Sequence, residues 1–321
     1  MTQALDPWAE VVVLLQLQSE VISRRQALAA GLSNHEVRRM LRRREWAVVH
    51  PGVYVAHTGP LTWIQRAWAA VLAVAPAALC HGSAMRAVDG KGRRYADDEA
   101  PVHVAIDRNR AATAPRGVIL HRFGDFDSKV LANASPPRQR PEHAVIDLAA
   151  EAGNELEAIA TLSDAVRARV TSADKLRAAL ADRTRIARRG FLTAVLDDIA
   201  AGTCSVLEHG YVTTVERAHN LPGASRQVRE SAKGVVYRDV DYEEFGVLVE
   251  LDGRLGHSSV HDRDRDLDRD LEAALQDRQT LRLGWGQVFA RACGTASKVA
   301  ALLNRRGWTG RAVSCPECAS R

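Results

Sequence analysis

The sequence lacks any apolar run that could cross a bilayer. Runs such as Val11 to Leu15 and Ala67 to Ala75 fall far short of the roughly 20 residues a membrane-spanning helix needs. The N-terminus also lacks a basic stretch followed by a long greasy core, opening instead toward Asp6, Pro7 and Trp8, so a secretory leader is not expected. Cysteine is sparse: five among 321 residues, an odd number without a dense framework. That argues against a disulfide-stapled secreted domain and fits a reducing compartment. A large excess of one charge is missing too, since 44 Lys and Arg against 39 Asp and Glu leave a formal charge of +5. The expectation is a soluble, cytoplasmic, globular protein with no membrane partner and room for two or three domains.

What is present is unevenly placed. Basic residues crowd Arg24 to Arg44, and acidic ones concentrate between Asp239 and Asp270. A basic head suits a polyanion and an acidic patch suits a cation. In the basic stretch, Ser23-Arg24-Arg25-Gln26 and Ser33-Asn34-His35-Glu36 both match the capping box, a serine at the cap with Gln or Glu three residues on. Ile22 and Leu32 precede the caps, placed to staple onto Ala27 and Val37, and Gly31 can end the first helix in a left-handed conformation. Two helices across so short a turn make a helix-turn-helix.

On the second helix Val37, Met40 and Leu41 follow helical spacing and face a core, leaving Arg38, Arg39, Arg42 and Arg43 outside that stripe. Guanidinium groups there can bond phosphates and guanine edges in the major groove. The bland reading of the same arginines is a solvated helix face. Trp46 to His50, Pro51-Gly52 and Val53 to Val55 then read as two short strands around a turn, the wing of a winged helix. The order of caps, turn, basic helix and wing favours DNA as the partner. The stretch ISRRQALAAGLSNHEVRRMLRRREWAVVHPGVYV resembles the N-terminal domain of AbiEi-type antitoxins, the repressor halves of type IV toxin–antitoxin systems. The resemblance continues more faintly through His81-Gly82-Ser83-Ala84 and Pro137 to Pro141. It implies DNA binding, and a cognate toxin as a further partner.

The middle shows little chemistry. Leu61 to Val74 predicts an amphipathic helix, Val102 to Ile106 and Val118 to His121 predict strands, and helices follow from about Pro141 to Ala200. His81, Ser83 and Asp89 contain the residue types of a catalytic triad but no nucleophile elbow, so they read as loop and cap residues. Arg138 and Arg140, between prolines, could touch a DNA backbone.

The acidic stretch carries the alternation of a hairpin: Tyr237 to Tyr242, the loop Glu243-Glu244-Phe245-Gly246, then Val247 to Gly253. With Tyr242 opposite Val247, Asp241 lies across from Leu248 and Asp239 across from Glu250. One face carries Val240, Tyr242, Val247, Val249 and Leu251. The other carries Asp239, Asp241, Glu250 and Asp252, with Leu248 among them. Four carboxylates on one face raise each other's pKa unless a cation sits among them. Mg²⁺ or Mn²⁺ suits such oxygen ligands and could activate water for phosphodiester hydrolysis. Neutralisation by Arg254, Arg263 or Arg265 is the metal-free alternative.

Upstream, Cys204 to His219 predicts a helix with Leu207, Tyr211 and Val215 on one side and Glu208 near its start. Downstream, Asp262 to Leu275 alternates Asp and Arg, with Leu267, Leu271 and Leu275 spaced to dock a helix. Thr280 to Trp285 predicts a strand in which Arg282 interrupts an apolar run, placed to hold a phosphate or pair with an acid. Together, from about Gly202 to Trp308, this resembles the endonuclease-like domains related to very-short-patch-repair endonucleases, within the PD-(D/E)xK superfamily. The resemblance implies Asp241 and Glu250 as metal-binding acids, Glu208 as an accessory ligand, and His257 as a proton donor or phosphate contact. Asp252 stands where the superfamily's lysine would be, which leaves the general base open. The glycine usual before the Leu-Arg strand is replaced by Asp277-Arg278-Gln279.

The tail ends in Cys315-Pro316-Glu317-Cys318. A CxxC is half of a zinc site and no second pair follows, so a flexible reduced tail is expected rather than zinc. The expected fold is α+β and multi-domain. It comprises a winged helix-turn-helix (1–60), a mixed α/β connecting domain (61–200), a restriction-endonuclease-like α/β/α domain (201–310) and the tail (311–321).

Overall fold

A computed structural model describes residues 7–89, 97–201, 205–225, 228–231, 235–238, 240–252, 267–268, 271–316 and 318. The chain divides into two compact units, Met1–Leu148 and Ala149–Arg321, so the division falls inside the stretch expected as one connecting domain. Both units mix helices and strands. Among the described residues no helix is long and apolar enough to cross a membrane.

The first unit begins with α1 (Pro7–Leu17), β1 (Val21–Ser23), α2 (Arg24–Ala29), α3 (Asn34–Arg42), β2 (Ala47–His50) and β3 (Val53–Val55). Both expected capping boxes are formed. The Ser23 hydroxyl accepts from the Gln26 backbone N–H at 3.2 Å while Gln26 Oε1 accepts from the Ser23 N–H at 3.0 Å. Ser33 and Glu36 repeat the arrangement at 3.2 and 2.7 Å. The backbone and hydroxyl of Ser33 hold the Glu36 carboxyl below its usual pKa. Gly31 sits at φ +101° between the helices, and a Cβ there would meet Pro7 at 3.1 Å, so both conformation and space require glycine.

The strands pair in the order β1-β3-β2, all antiparallel. Alternation splits their side chains between two cores. Ile22 and Tyr54 join Val11, Ala27, Leu32, Val37 and Trp46, with Met40 and Leu41 packed against that cluster. Val21, Val53 and Val55 face the other way onto Trp68 and Ala69 of α4 (Trp63–Ala73), which Thr62 caps in a third capping box.

The rest of the unit is a five-stranded sheet in the order β6-β5-β4-β8-β7. Its strands are β4 (Ala78–Leu79), β5 (Val102–Asp107), β6 (Val118–Phe123), β7 (Val130–Leu131) and β8 (Arg138–Gln139), with α5 (His81–Asp89) and α6 (Phe126–Lys129) between them. β5 and β6 run parallel, as do β4 and β8. Arg138 and Arg140 donate to the backbone carbonyls of Ser135 and Ser128.

Four helices follow: α7 (Pro141–Glu151), α8 (Glu155–Arg167), α9 (Ala173–Ala181) and α10 (Arg189–Ala201). Ile159, Leu162, Leu176, Leu192 and Leu196 are fully buried. α11 (Ser205–Gly210) then widens into a π-helical segment, Tyr211–Arg217. Leu207, Tyr211 and Val215 point inward as their spacing implied. A second π turn, Gly286–Ala290, meets it closely: the Thr214 hydroxyl donates to the Val288 carbonyl at 2.9 Å. A Cβ on Gly210 would overlap the Phe289 ring.

Beside these lie the hairpin β9 (Val228–Ser231) and β10 (Val235–Arg238), and a sheet in the order β11-β12-β13. In that sheet β11 (Val240–Tyr242) is antiparallel to β12 (Val247–Asp252), and β12 is parallel to β13 (Gln279–Gly284). The long α12 (Ala292–Arg305) closes the unit.

The caps generate a prediction. Replacing Ser23, whose hydroxyl is buried against the first turn of α2, by alanine should destabilise the first unit by about 1 kcal/mol. Denaturant unfolding measures this, and an unchanged midpoint would mean the cap contributes nothing.

Candidate functional site

Two regions hold the residues singled out in the sequence. On α3, Arg38 and Arg42 are exposed and so is Arg43 just beyond its end, while Arg39 is half-buried. Val37 anchors the helix at 1% exposure, so the helix cannot rotate its arginines inward without expelling that anchor from the core. Arg43 makes only a solvent-exposed pairing with Glu45 at 3.8 Å, a contact of little strength. The β2–β3 hairpin follows α3 in the chain, turning at Gly52 with φ +75°. Exposed cationic side chains and the β2–β3 hairpin thus belong to one compact element held by the Val11–Tyr54 cluster.

The second region is the β11-β12-β13 sheet. The observed pairing is the one the alternation implied: Tyr242 opposite Val247, Asp241 opposite Leu248 and Val240 opposite Val249. Glu250 lies two residues beyond Leu248, the partner of Asp241, so Asp241 and Glu250 share a face. The face is covered, however. Asp241 and Leu248 are each 1% exposed, as buried as the apolar residues behind them. Tyr242 and Tyr211 meet through their hydroxyls at 3.0 Å on the far side, so β11 is packed on both faces.

Each of the two acids meets an arginine. Arg278 pairs with Asp241 Oδ1, and Arg282 lies 3.1 Å from Glu250 Oε2. Arg282 comes from β13, which the parallel crossover lays beside β12 as the register partner of Glu250, and Arg278 is the residue just before that strand. Asp241 Oδ2 is buried and accepts no hydrogen bond among the described residues. Glu208 stands half-buried in the first turn of α11, and Asp252 is exposed at the end of β12. Asp239, His257, Arg254, Arg263 and Arg265 lie outside the described residues, as does most of the Asp/Arg-alternating stretch. Among the described residues Arg278 and Arg282 meet Asp241 and Glu250, and Arg278 was not singled out in the sequence.

One further expectation changes. Residues 271–275 are helical, but Leu267, Leu271 and Leu275 are exposed, at 54%, 64% and 88%. Their spacing makes a stripe, yet it is Ala273 that turns inward. His81, Ser83 and Asp89 do not assemble into a triad. The His81 ring stacks on His121 at 4.0 Å, and the Ser83 hydroxyl accepts from the His103 backbone.

The CxxC tail is not isolated. The thiols of Cys293, Cys315 and Cys318 and the imidazole of His219 come together, each offering an atom within 4.8 Å of the others. His219 lies just past the π-helical segment and Cys293 is in the first turn of α12, so neither lies near the tail in sequence. The hydrogen bond with Cys318, then burial, then the bond with Cys315 push the Cys293 thiol up to about 12.

Compared with protein-family models the chain matches none, and no curated protein matches it.

The buried ion pair sets a measurable expectation. Arg278→Met leaves the Asp241 carboxylate buried without its cation, so stability should fall by about 3 to 5 kcal/mol. Adding Asp241→Asn should recover part of that loss. A single variant as stable as wild type would show that the pair does not hold the sheet.

Proposed function

We propose that this chain is a DNA-binding protein whose N-terminal 60 residues form a winged helix, with α3 as the element that enters the major groove. The observation that carries the reading is the exposed arginine set on α3, fixed by two capping boxes and a buried Val37. An exposed arginine on a floppy segment would lose its own ordering entropy on binding phosphate. Here much of that ordering is complete before DNA arrives. Arg38 and Arg42, four residues apart, lie along one side of the helix, suited to a phosphate or to guanine O6 and N7. The β2–β3 hairpin would supply the wing. Resemblance to the antitoxin repressors adds a cognate toxin as a partner.

A second reading is metal-dependent cleavage of the bound nucleic acid by the β11-β12 acids. What favours it is the shared face of Asp241 and Glu250 and the undonated Asp241 Oδ2. Mg²⁺ or Mn²⁺ there would take oxygen ligands from Asp241 and Glu250, with Glu208 as accessory and Asp252 or His257 handling protons. The guanidinium of Arg282 already occupies the Glu250 carboxylate and that of Arg278 the other oxygen of Asp241. A cation would have to displace or share them. Charge balance without a metal supports the non-cleaving reading first: a nuclease-like domain that holds its acids as structural ion pairs.

One experiment separates the two. Full-length protein should retard duplex DNA from the region upstream of its own gene. Arg38→Ala with Arg42→Ala should weaken that binding and lower the salt slope by roughly 1 to 2. In the same buffers with Mg²⁺ or Mn²⁺, supercoiled plasmid and a short single strand should stay intact. Cleavage that disappears in Glu250→Ala would establish the second reading, and binding untouched by the arginine pair would remove the first.

A further inference from the structure

His219, Cys293, Cys315 and Cys318 converge from three parts of the second unit. His219 follows the π-helical segment, Cys293 lies in the first turn of α12, and the last two come from the tail. The tail is tied down before its cysteines begin: the Val313 N–H donates to the His219 carbonyl at 3.0 Å. A turn closed by the Cys318 N–H on the Cys315 carbonyl, also 3.0 Å, then folds the CxxC back on itself.

The spacings are informative. Cys293 and Cys315 sulfurs are 3.5 Å apart, Cys315 and Cys318 sulfurs 3.8 Å, and Cys318 Sγ lies 3.6 Å from His219 Nε2. A disulfide would bring two sulfurs to about 2.05 Å, so these are not bridged. In a tetrahedron with Zn–S bonds of about 2.3 Å, neighbouring sulfurs stand about 3.8 Å apart. With Zn–N at about 2.0 to 2.1 Å, sulfur and nitrogen stand about 3.5 Å apart. These three edges match those of a tetrahedral Cys3His set, and the remaining pairs lie within 4.8 Å.

The imidazole is oriented for the same role. His219 is 2% exposed, and its Nδ1 lies 3.1 Å from the Val215 carbonyl. A carbonyl oxygen only accepts, so Nδ1 carries the proton and the Nε2 lone pair points at Cys318. A backbone carbonyl holding the far nitrogen is the usual support of a metal-bound histidine.

We propose that these four side chains bind one Zn²⁺. Three soft thiolates and one imidazole select zinc over the hard cations that carboxylates prefer. Four protein ligands leave no position for water or substrate, so the ion is structural. It clamps the tail and α12 to the π-helical segment. This site is separate from the Asp241–Glu250 face in ligand type and stands whether or not the chain binds or cuts DNA. Binding releases protons from the thiols, so the affinity falls as pH drops.

The test uses the full chain purified under reducing conditions after expression with zinc. Elemental analysis should find one zinc per chain. Exchange with Co²⁺ should give the thiolate charge-transfer and visible bands of a tetrahedral sulfur-rich site. A strong chelator should lower the Tm by more than about 5 °C. Cys318→Ser, close to the chain end, should lose the metal, whereas His219→Cys should keep one zinc with a spectrum shifted toward four sulfurs. Wild-type protein with no zinc above the buffer, or a cobalt spectrum without thiolate bands, would overturn the proposal. So would zinc content unchanged in Cys318→Ser. Should Cys318→Ser not fold, the wild-type cobalt spectrum alone decides, because thiolate bands cannot arise from the carboxylate face.

Discussion

Charge removed from water must be met by opposite charge or by hydrogen bonds, and the second unit is built around that constraint. Asp241 sits in a strand buried on both faces, so its carboxylate cannot reach solvent. Arg278 reaches it from the residue just before β13, and β13 can stand there only because the chain crosses over to run parallel with β12. The same crossover brings Arg282 to Glu250. Strand order, register and charge balance are thus one arrangement. Removing either cation would press on all three.

The first unit solves a different problem, how to hold a basic helix still while its arginines face outward. Arginines close together repel and gain nothing from the core. The solution is to put the fixing interactions elsewhere: serine caps at both helix starts, a glycine turn between them, and a three-stranded sheet whose two faces serve two separate cores. The positive face is left exposed. This division of labour, rather than net charge, is why the DNA reading rests on α3.

Features that depend on nearby residues were legible in the sequence. The capping boxes at Ser23 and Ser33 formed because both partners lie within one turn. The β11–β12 register followed from alternation across a four-residue loop, which allows few other pairings. What was not legible depends on distant residues. The alternation showed where Asp241 points but not that the opposite element would bury it beneath Arg278, 37 positions away. The leucines at 267, 271 and 275 carried the right spacing for docking, yet spacing names a stripe and not the surface that covers it. The tail cysteines read as half a site because no second pair lies near them in sequence. The complement lies behind them, at His219 and Cys293, and one of its members is a histidine fixed by a π-helical turn. Local pattern has no access to that geometry.

The most direct test of the central claim, that α3 reads DNA, is selection of bound sequences from a random duplex pool by the full-length protein. A winged helix using α3 predicts enrichment of a defined motif, with Arg42→Ala relaxing the preference at a single base position while other positions keep theirs. A pool that shows no enrichment above the starting library, or a motif unchanged when Arg38, Arg42 and Arg43 are all replaced by alanine, would contradict it.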